Sequence, residues 1–128
     1  MGINFERALS VHAQTLELRS RRAEILAANL ANADTPNYQA RDLDFAATLA
    51  QAQGGAGPLQ ATQAFHLQPA GRNGELLYRI PTQMSLDGNT VEPEQEKAAF
   101  ADNALRYQAS LRFMSSRIQG LLTAIKGE

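Results

Sequence analysis

The chain has 128 residues, enough for one domain of ordinary size. Its 12 basic and 13 acidic side chains leave a net charge of -1, so it lacks the clustered Lys and Arg that binding to nucleic-acid phosphates requires. The absence of cysteine excludes disulfides, thiolate metal sites and cysteine nucleophiles, and suits a chain that crosses an oxidising compartment or is exported unfolded.

The N-terminal residues Met1 to Arg7 hold no basic segment followed by an apolar run, so no cleaved secretory signal is expected. Glu6 stands where a myristoylation signal has Ser or Thr. With no apolar stretch of membrane-spanning length, no membrane span is expected.

A first helix is predicted from Phe5 to Ala33. Phe5, Leu9, His12, Leu16, Arg19, Ala23, Leu26 and Leu30 recur at spacings of four and three, a heptad seam interrupted by His12 and Arg19. Val11, Leu18 and Ile25 form a second series about 200° around the helix, too far for one partner helix to cover both.

The helix should end in Ala28 to Phe45, ANLANADTPNYQARDLDF. Asn29 and Asn32 carry side chains that compete for backbone hydrogen bonds and favour helix ends. Pro36 pushes Thr35 into an extended conformation. Together with Asp34 these residues predict a rigid, hydrogen-bonded exit, using five such residues where an ordinary cap needs one or two.

From Asp42 to Val91 the pattern predicts extended loops with one hairpin. Gln51 to Gly57 is a flexible low-complexity patch, Arg72-Asn73-Gly74 is a turn, Leu76 to Ile80 is a short strand ended by Pro81, and Asp87-Gly88-Asn89 is a second turn. A second helix is predicted from Pro93 to Lys126, with Glu94 and Glu96 in its first turn and Gly127 beyond its end. Phe100, Ala104, Tyr107, Leu111, Met114, Ile118, Leu121 and Ile125 make an unbroken heptad, the strongest periodic signal in the chain.

The expected fold is therefore mainly α: long N- and C-terminal helices packed as an antiparallel coiled coil, with an irregular extended or β-hairpin arm between them. Residues 1–33 and 92–128 would form the helical domain and residues 34–91 the arm. The expected intrachain seam is Leu9, Leu16, Leu26 and Leu30 against Phe100, Tyr107, Leu111, Met114, Ile118, Leu121 and Ile125, with Val11, Leu18 and Ile25 left for other subunits. An isolated pair of this kind is marginal, since helical stability comes mostly from packing.

No coherent catalytic, cofactor or metal site is expected. His12 and His66 have no partner spacing typical of a metal or triad site. Asp34, Asp42 and Asp44 lack a supporting histidine, serine or calcium-loop pattern, and Asp42 and Asp44 read as turn residues or partners of Arg41. Arg19, Arg21 and Arg22, flanked by Glu17 and Glu24, read as a solvated face with helix ion pairs, with an intersubunit salt bridge as the alternative. Gly54, Gly55 and Gly57 lack the Lys-Ser/Thr that completes a phosphate loop.

Ile25 to Phe45, ILAANLANADTPNYQARDLDF, resembles the N-terminal signature of bacterial flagellar rod, hook and hook-associated proteins. Asn29, Asn32, Asp34, Thr35, Pro36 and Tyr38 carry the signature motif; the family usually has Gly between Pro and Tyr, and this chain has Asn37, which tolerates a left-handed conformation. The short length, YQARDLDFA at Tyr38 to Ala46 and SLDGNTVEPEQEKAAFADNALRYQASL at Ser85 to Leu111 point to a proximal rod subunit. The resemblance implies a structural subunit of the flagellar basal body, in the periplasmic rod, that polymerises with other rod proteins into a hollow drive shaft and export channel. It implies export by the flagellar type III apparatus without a cleaved signal. The implied partners are other rod subunits, further copies of itself, the rod adaptor protein and the export gate at the rod base. The alternative is a self-sufficient helical adaptor or chaperone module, which would cover both of its own faces; an enzyme would need a pocket that the sequence does not offer.

Overall fold

The computed structural model describes residues 5–52 and 76–127. Helix α1 runs Phe5–Ala31, strand β1 Arg41–Leu43, helix α2 Phe45–Ala52, strand β2 Leu76–Tyr78 and helix α3 Pro93–Lys126. The fold is mainly helical, with the two long helices packed together and a small antiparallel sheet between them. Arg19 meets Asn103 and Asn29 meets Glu96, so α1 and α3 are antiparallel.

Helix α3 begins as its sequence requires. Glu92 is extended ahead of Pro93, with φ -107° and ψ 95°. At the far end Gly127 takes a left-handed φ of 73°, and its N–H reaches the Thr123 carbonyl at 3.0 Å. Helix α1 ends at Ala31, two residues before the expected Ala33, and a chain of turns replaces it: the N–H of Asn32 donates to Ala28 O and Asn29 O, and that of Thr35 to Asn32 O.

The arm differs from its expectation in two ways. It contains a helix, α2, where an irregular chain was predicted. Asp44 explains it: its Oδ1 accepts the Ala47 N–H at 3.0 Å, a side-chain N-cap three residues ahead, and Thr48 Oγ1 donates back to Asp44 O. The strand at Leu76 is real but shorter than predicted, and among the described residues its partner is β1. Tyr78 lies opposite Arg41, Leu77 opposite Asp42 and Leu76 opposite Leu43, so the sheet joins the two ends of the arm. Gln51 and Ala52, the start of the expected flexible patch Gln51 to Gly57, are instead the last residues of α2; the rest of that patch, the expected Arg72-Asn73-Gly74 turn and His66 lie outside the described residues.

The α3 face that meets α1 also differs. Its buried residues are Glu96 and Asn103, with Ala99, Tyr107, Ser110, Met114 and Leu121 half-buried on the same side. Tyr107, Met114 and Leu121 belong to the expected seam, but Phe100, Leu111, Ile118 and Ile125 are 39%, 40%, 38% and 69% exposed. The cause is polar: the hydrogen bonds of Glu96 with Asn29 and of Asn103 with Arg19 turn those side chains towards α1 and leave the apolar edge outward. On α1, Leu26 is buried and Leu9, Leu16 and Leu30 are half-buried.

Among the described residues only Leu26, Ala40, Leu43 and Val91 form the buried apolar core. All four lie at the end of the molecule where α1 stops and α3 starts. Such a core cannot hold two helices of about 40 and 50 Å along their whole length. Peptide-resolved hydrogen exchange of the isolated chain should therefore show its strongest protection over residues 19–31 and 89–103 and fast exchange over residues 111–126. Equal protection along all of α3 would contradict this small-core account.

Candidate functional site: the helix-to-arm junction

The signature string forms a hydrogen-bonded corner. Asn29 is fully buried. Its Nδ2 donates to Arg41 O at 2.7 Å and to Glu96 Oε2 at 3.1 Å, while its Oδ1 accepts the Arg41 N–H at 3.1 Å. The side-chain amide thus serves Arg41 as a neighbouring strand would, and ties β1 to the end of α1. Asn32 does a local job: its Nδ2 donates to Ala28 O and its Oδ1 accepts the Thr35 hydroxyl. Tyr38 is half-buried and its carbonyl accepts the Thr90 N–H, whereas Asp34 and Pro36 are exposed.

A second asparagine closes the corner from the other side of the arm. Asn89, 5% exposed, points its Nδ2 at three carbonyls, Asn32 O, Ala33 O and Thr35 O, at 2.8–2.9 Å. These carbonyls lie in the turns just past the end of α1, and Asn32 O also accepts the Thr35 N–H. Its Oδ1 accepts the Val91 N–H at 2.7 Å, which fixes the approach to α3. Beside it Asn37 has a left-handed φ of 59°, as its residue type allows, and its N–H donates to Asp87 O. Gly88 is required there: φ is +74°, and a Cβ would lie 2.5 Å from Asn37 Oδ1.

Four charged side chains complete the junction. Arg22 of α1 grips Asp42 of β1 with two bonds of 2.9 Å. Arg79, just after β2, reaches Asp42 Oδ2 at 2.5 Å and Glu96 Oε1 at 2.7 Å. Glu96 of α3 is fully buried, and its other oxygen accepts from Asn29. Each of α1, β1, the segment after β2, and α3 supplies one charge. Burial would push the Asp42 carboxyl up, but hydrogen bonds from Arg22, the Leu43 N–H and Arg79 outweigh it and hold it below its ordinary value. The bond to Asp42 in turn raises Arg22.

Arg19 is 8% exposed, not solvated: it stacks on Phe45 of α2 at 4.2 Å and exchanges hydrogen bonds with Asn103, leaving its Nε without a partner. Asp42 pairs with Arg22 and Arg79 rather than Arg41, and Asp44 caps α2. Among the residues expected to face other subunits, Val11 is exposed and Leu18 and Ile25 are half-buried, on the α1 face from which Arg22 and Asn29 reach β1. His12 is half-buried. The sequence pattern gives Asn89 a turn, Arg79 a strand position and Glu96 a place in the first turn of α3, and none of them a part in the junction. For Glu96 a signal existed, the seven-residue step to Asn103, which places two polar residues on one line of α3.

The arrangement holds geometry. Its charges are paired, and no group of three His, Cys, Asp or Glu able to hold a metal occurs among the described residues. No described helix is long and apolar enough to cross a membrane.

The comparisons agree with a structural junction of this kind. The family described as "Flagella basal body rod protein" matches residues 9–39, from the α1 seam through the corner to Gln39. The chain is 54% identical to the flagellar basal body rod protein FlgB of Cereibacter sphaeroides over 126 residues, covering 97% of this chain and 98% of that one. It is 45% identical to FlgB of Aeromonas hydrophila, over 100% and 99% of the two chains, and 45% identical to FlgB of Escherichia coli K12, over 93% of each. The chain belongs to the flagellar basal body rod protein family and is FlgB-like along nearly its whole length. It is a structural rod subunit of the flagellar basal body, not an enzyme, and associates with other rod components.

Asn29→Ala would strand the Arg41 amide groups and one Glu96 oxygen, at about 1–3 kcal/mol for a buried group left unsatisfied. Asn32→Ala removes bonds at an exposed site and should cost under about 1 kcal/mol. Exchange protection of residues 26–31 and 41–43 should fall much further for the first than for the second. Because Asp42 titrates lower when folded, its contribution is complete above the ordinary carboxylate value and is lost as pH falls through the folded one. NMR titration of the Asp42 carboxyl carbon should show that lowered value, and Arg79→Met should move it upward.

Proposed function

We propose that the chain builds the rod by burying, against neighbouring subunits, the apolar edge of α3 that its own α1 leaves free. The supporting observation is the exposure of Phe100, Leu111, Ile118 and Ile125, four of the eight members of the strongest heptad in the chain. A self-sufficient adaptor would cover such a stripe itself, because contiguous exposed apolar surface is an association site or a liability. Val11, Leu18 and Ile25, which keep part of their surface, supply a second edge on α1. Two different edges on one chain make head-to-tail contacts, and contacts of that kind that do not close generate a helical tube.

In this reading residues 1–33 and 92–128 form the inner layer of the rod, and residues 34–91 form an arm that engages neighbours outside it. Asn29, Asn32, Asp34, Thr35, Pro36 and Tyr38 turn the chain from the one to the other. The subunit sits in the periplasmic rod at its base, against the rod adaptor protein and the export gate. It reaches that site through the flagellar type III apparatus, without a cleaved signal. A small apolar core and the lack of disulfides suit a chain that is threaded and then ordered by its neighbours.

Ile125 is exposed near the end of α3, so Ile125→Asp should leave the chain's level in cells unchanged. In a strain lacking the native subunit, that variant should fail to restore rods and swimming. Normal motility would remove the apolar edge of α3 from the assembly.

A further inference from the structure

We infer that Arg79 is the positioning residue of the arm: by bridging Asp42 and Glu96 it sets the pose of the β1–β2 pair against the two long helices. The consequence for assembly, that this pose aims the arm at a neighbouring subunit, rests on the reading proposed above. Arg79 follows β2 directly, and its N–H donates to Ala40 O at 2.9 Å, so its backbone moves with the strand pair. Its guanidinium then reaches across to the fully buried Glu96 of α3. Among the described residues, it is the side chain that ion-pairs with both the sheet and α3.

Ala40 and Leu43 bury the β1 side of the pair, but apolar packing holds the β2 side only weakly. Tyr78 is 62% exposed and Ile80 89% exposed, on either side of Arg79. Apolar burial is also non-directional, whereas a planar guanidinium joining two carboxylates fixes both distance and angle. A buried ion pair adds little net stability over a neutral replacement, although removing one partner alone is costly. Its contribution here is therefore geometric.

The test is a variant that removes the bridge and leaves no buried charge unpaired. In Arg79→Met with Glu96→Gln, Asp42 keeps Arg22, and residue 96 can still accept from Asn29. Produced in a strain lacking the native subunit, this double variant should accumulate to the normal level and fail to restore swimming. Arg79→Lys, a point charge that serves one carboxylate at a time, should restore it in part. Wild-type swimming by the double variant would overturn the inference. So would its failure to accumulate, which would make Arg79 a stability element instead. Ile125→Asp separates the two levels: if it is non-motile while the double variant swims, the assembly reading stands and the role of Arg79 falls. If both variants swim normally, both fall.

Discussion

The structure depends on a substitution of partners at Arg41. The first strand of the arm needs a hydrogen-bonding neighbour on each side; β2 supplies one, and the side-chain amide of Asn29 supplies the other. A buried backbone group without a partner is costly, so this amide fixes where the arm can begin. It also couples that choice to α3, because the same amide donates to Glu96. A single buried asparagine therefore joins the end of one helix, the start of the arm and the start of the other helix.

The rest of the junction follows from this constraint. Asn89 supplies donors to the carbonyls exposed where α1 ends, and Gly88 gives the chain room to pass Asn37. Arg22, Asp42, Arg79 and Glu96 then alternate in sign across four segments of the chain. Buried polar groups of this kind are satisfied only when every segment is in place, and they select one geometry. The apolar core among the described residues is too small to do so: Leu26, Ala40, Leu43 and Val91 are small or medium side chains gathered at one end.

For a subunit of a polymer this division is coherent. The corner is specified by polar contacts that cannot slide, whereas the far part of α3 keeps apolar surface that α1 does not cover. Pairing α1 with α3 through Glu96 and Asn103 turns Phe100, Leu111, Ile118 and Ile125 towards the flank. The polar line inside the pair is thus the physical reason that an apolar line remains outside it.

Much of the fold was legible from local pattern. Heptad spacing, Pro93 and Gly127 located the long helices to within two residues, because helix periodicity and capping are properties of neighbouring residues. The string from Asn29 to Tyr38 likewise read as a rigid exit, since it is rich in residues whose side chains compete for backbone bonds. Helix α2 was also readable in principle, from Asp44 ahead of an alanine-rich run, but its neighbours carried loop-like composition. What only the tertiary structure decided were the long-range partners: β1 with β2 across the arm, Asn89 on the end of α1, and the charges on Asp42 and Glu96. Hydrophobic periodicity assigns a face to apolar residues and is silent on buried polar ones. Here those polar residues set the rotation of α3, so the sequence alone placed Phe100 and Ile118 inside the pair and the folded chain placed them at its edge.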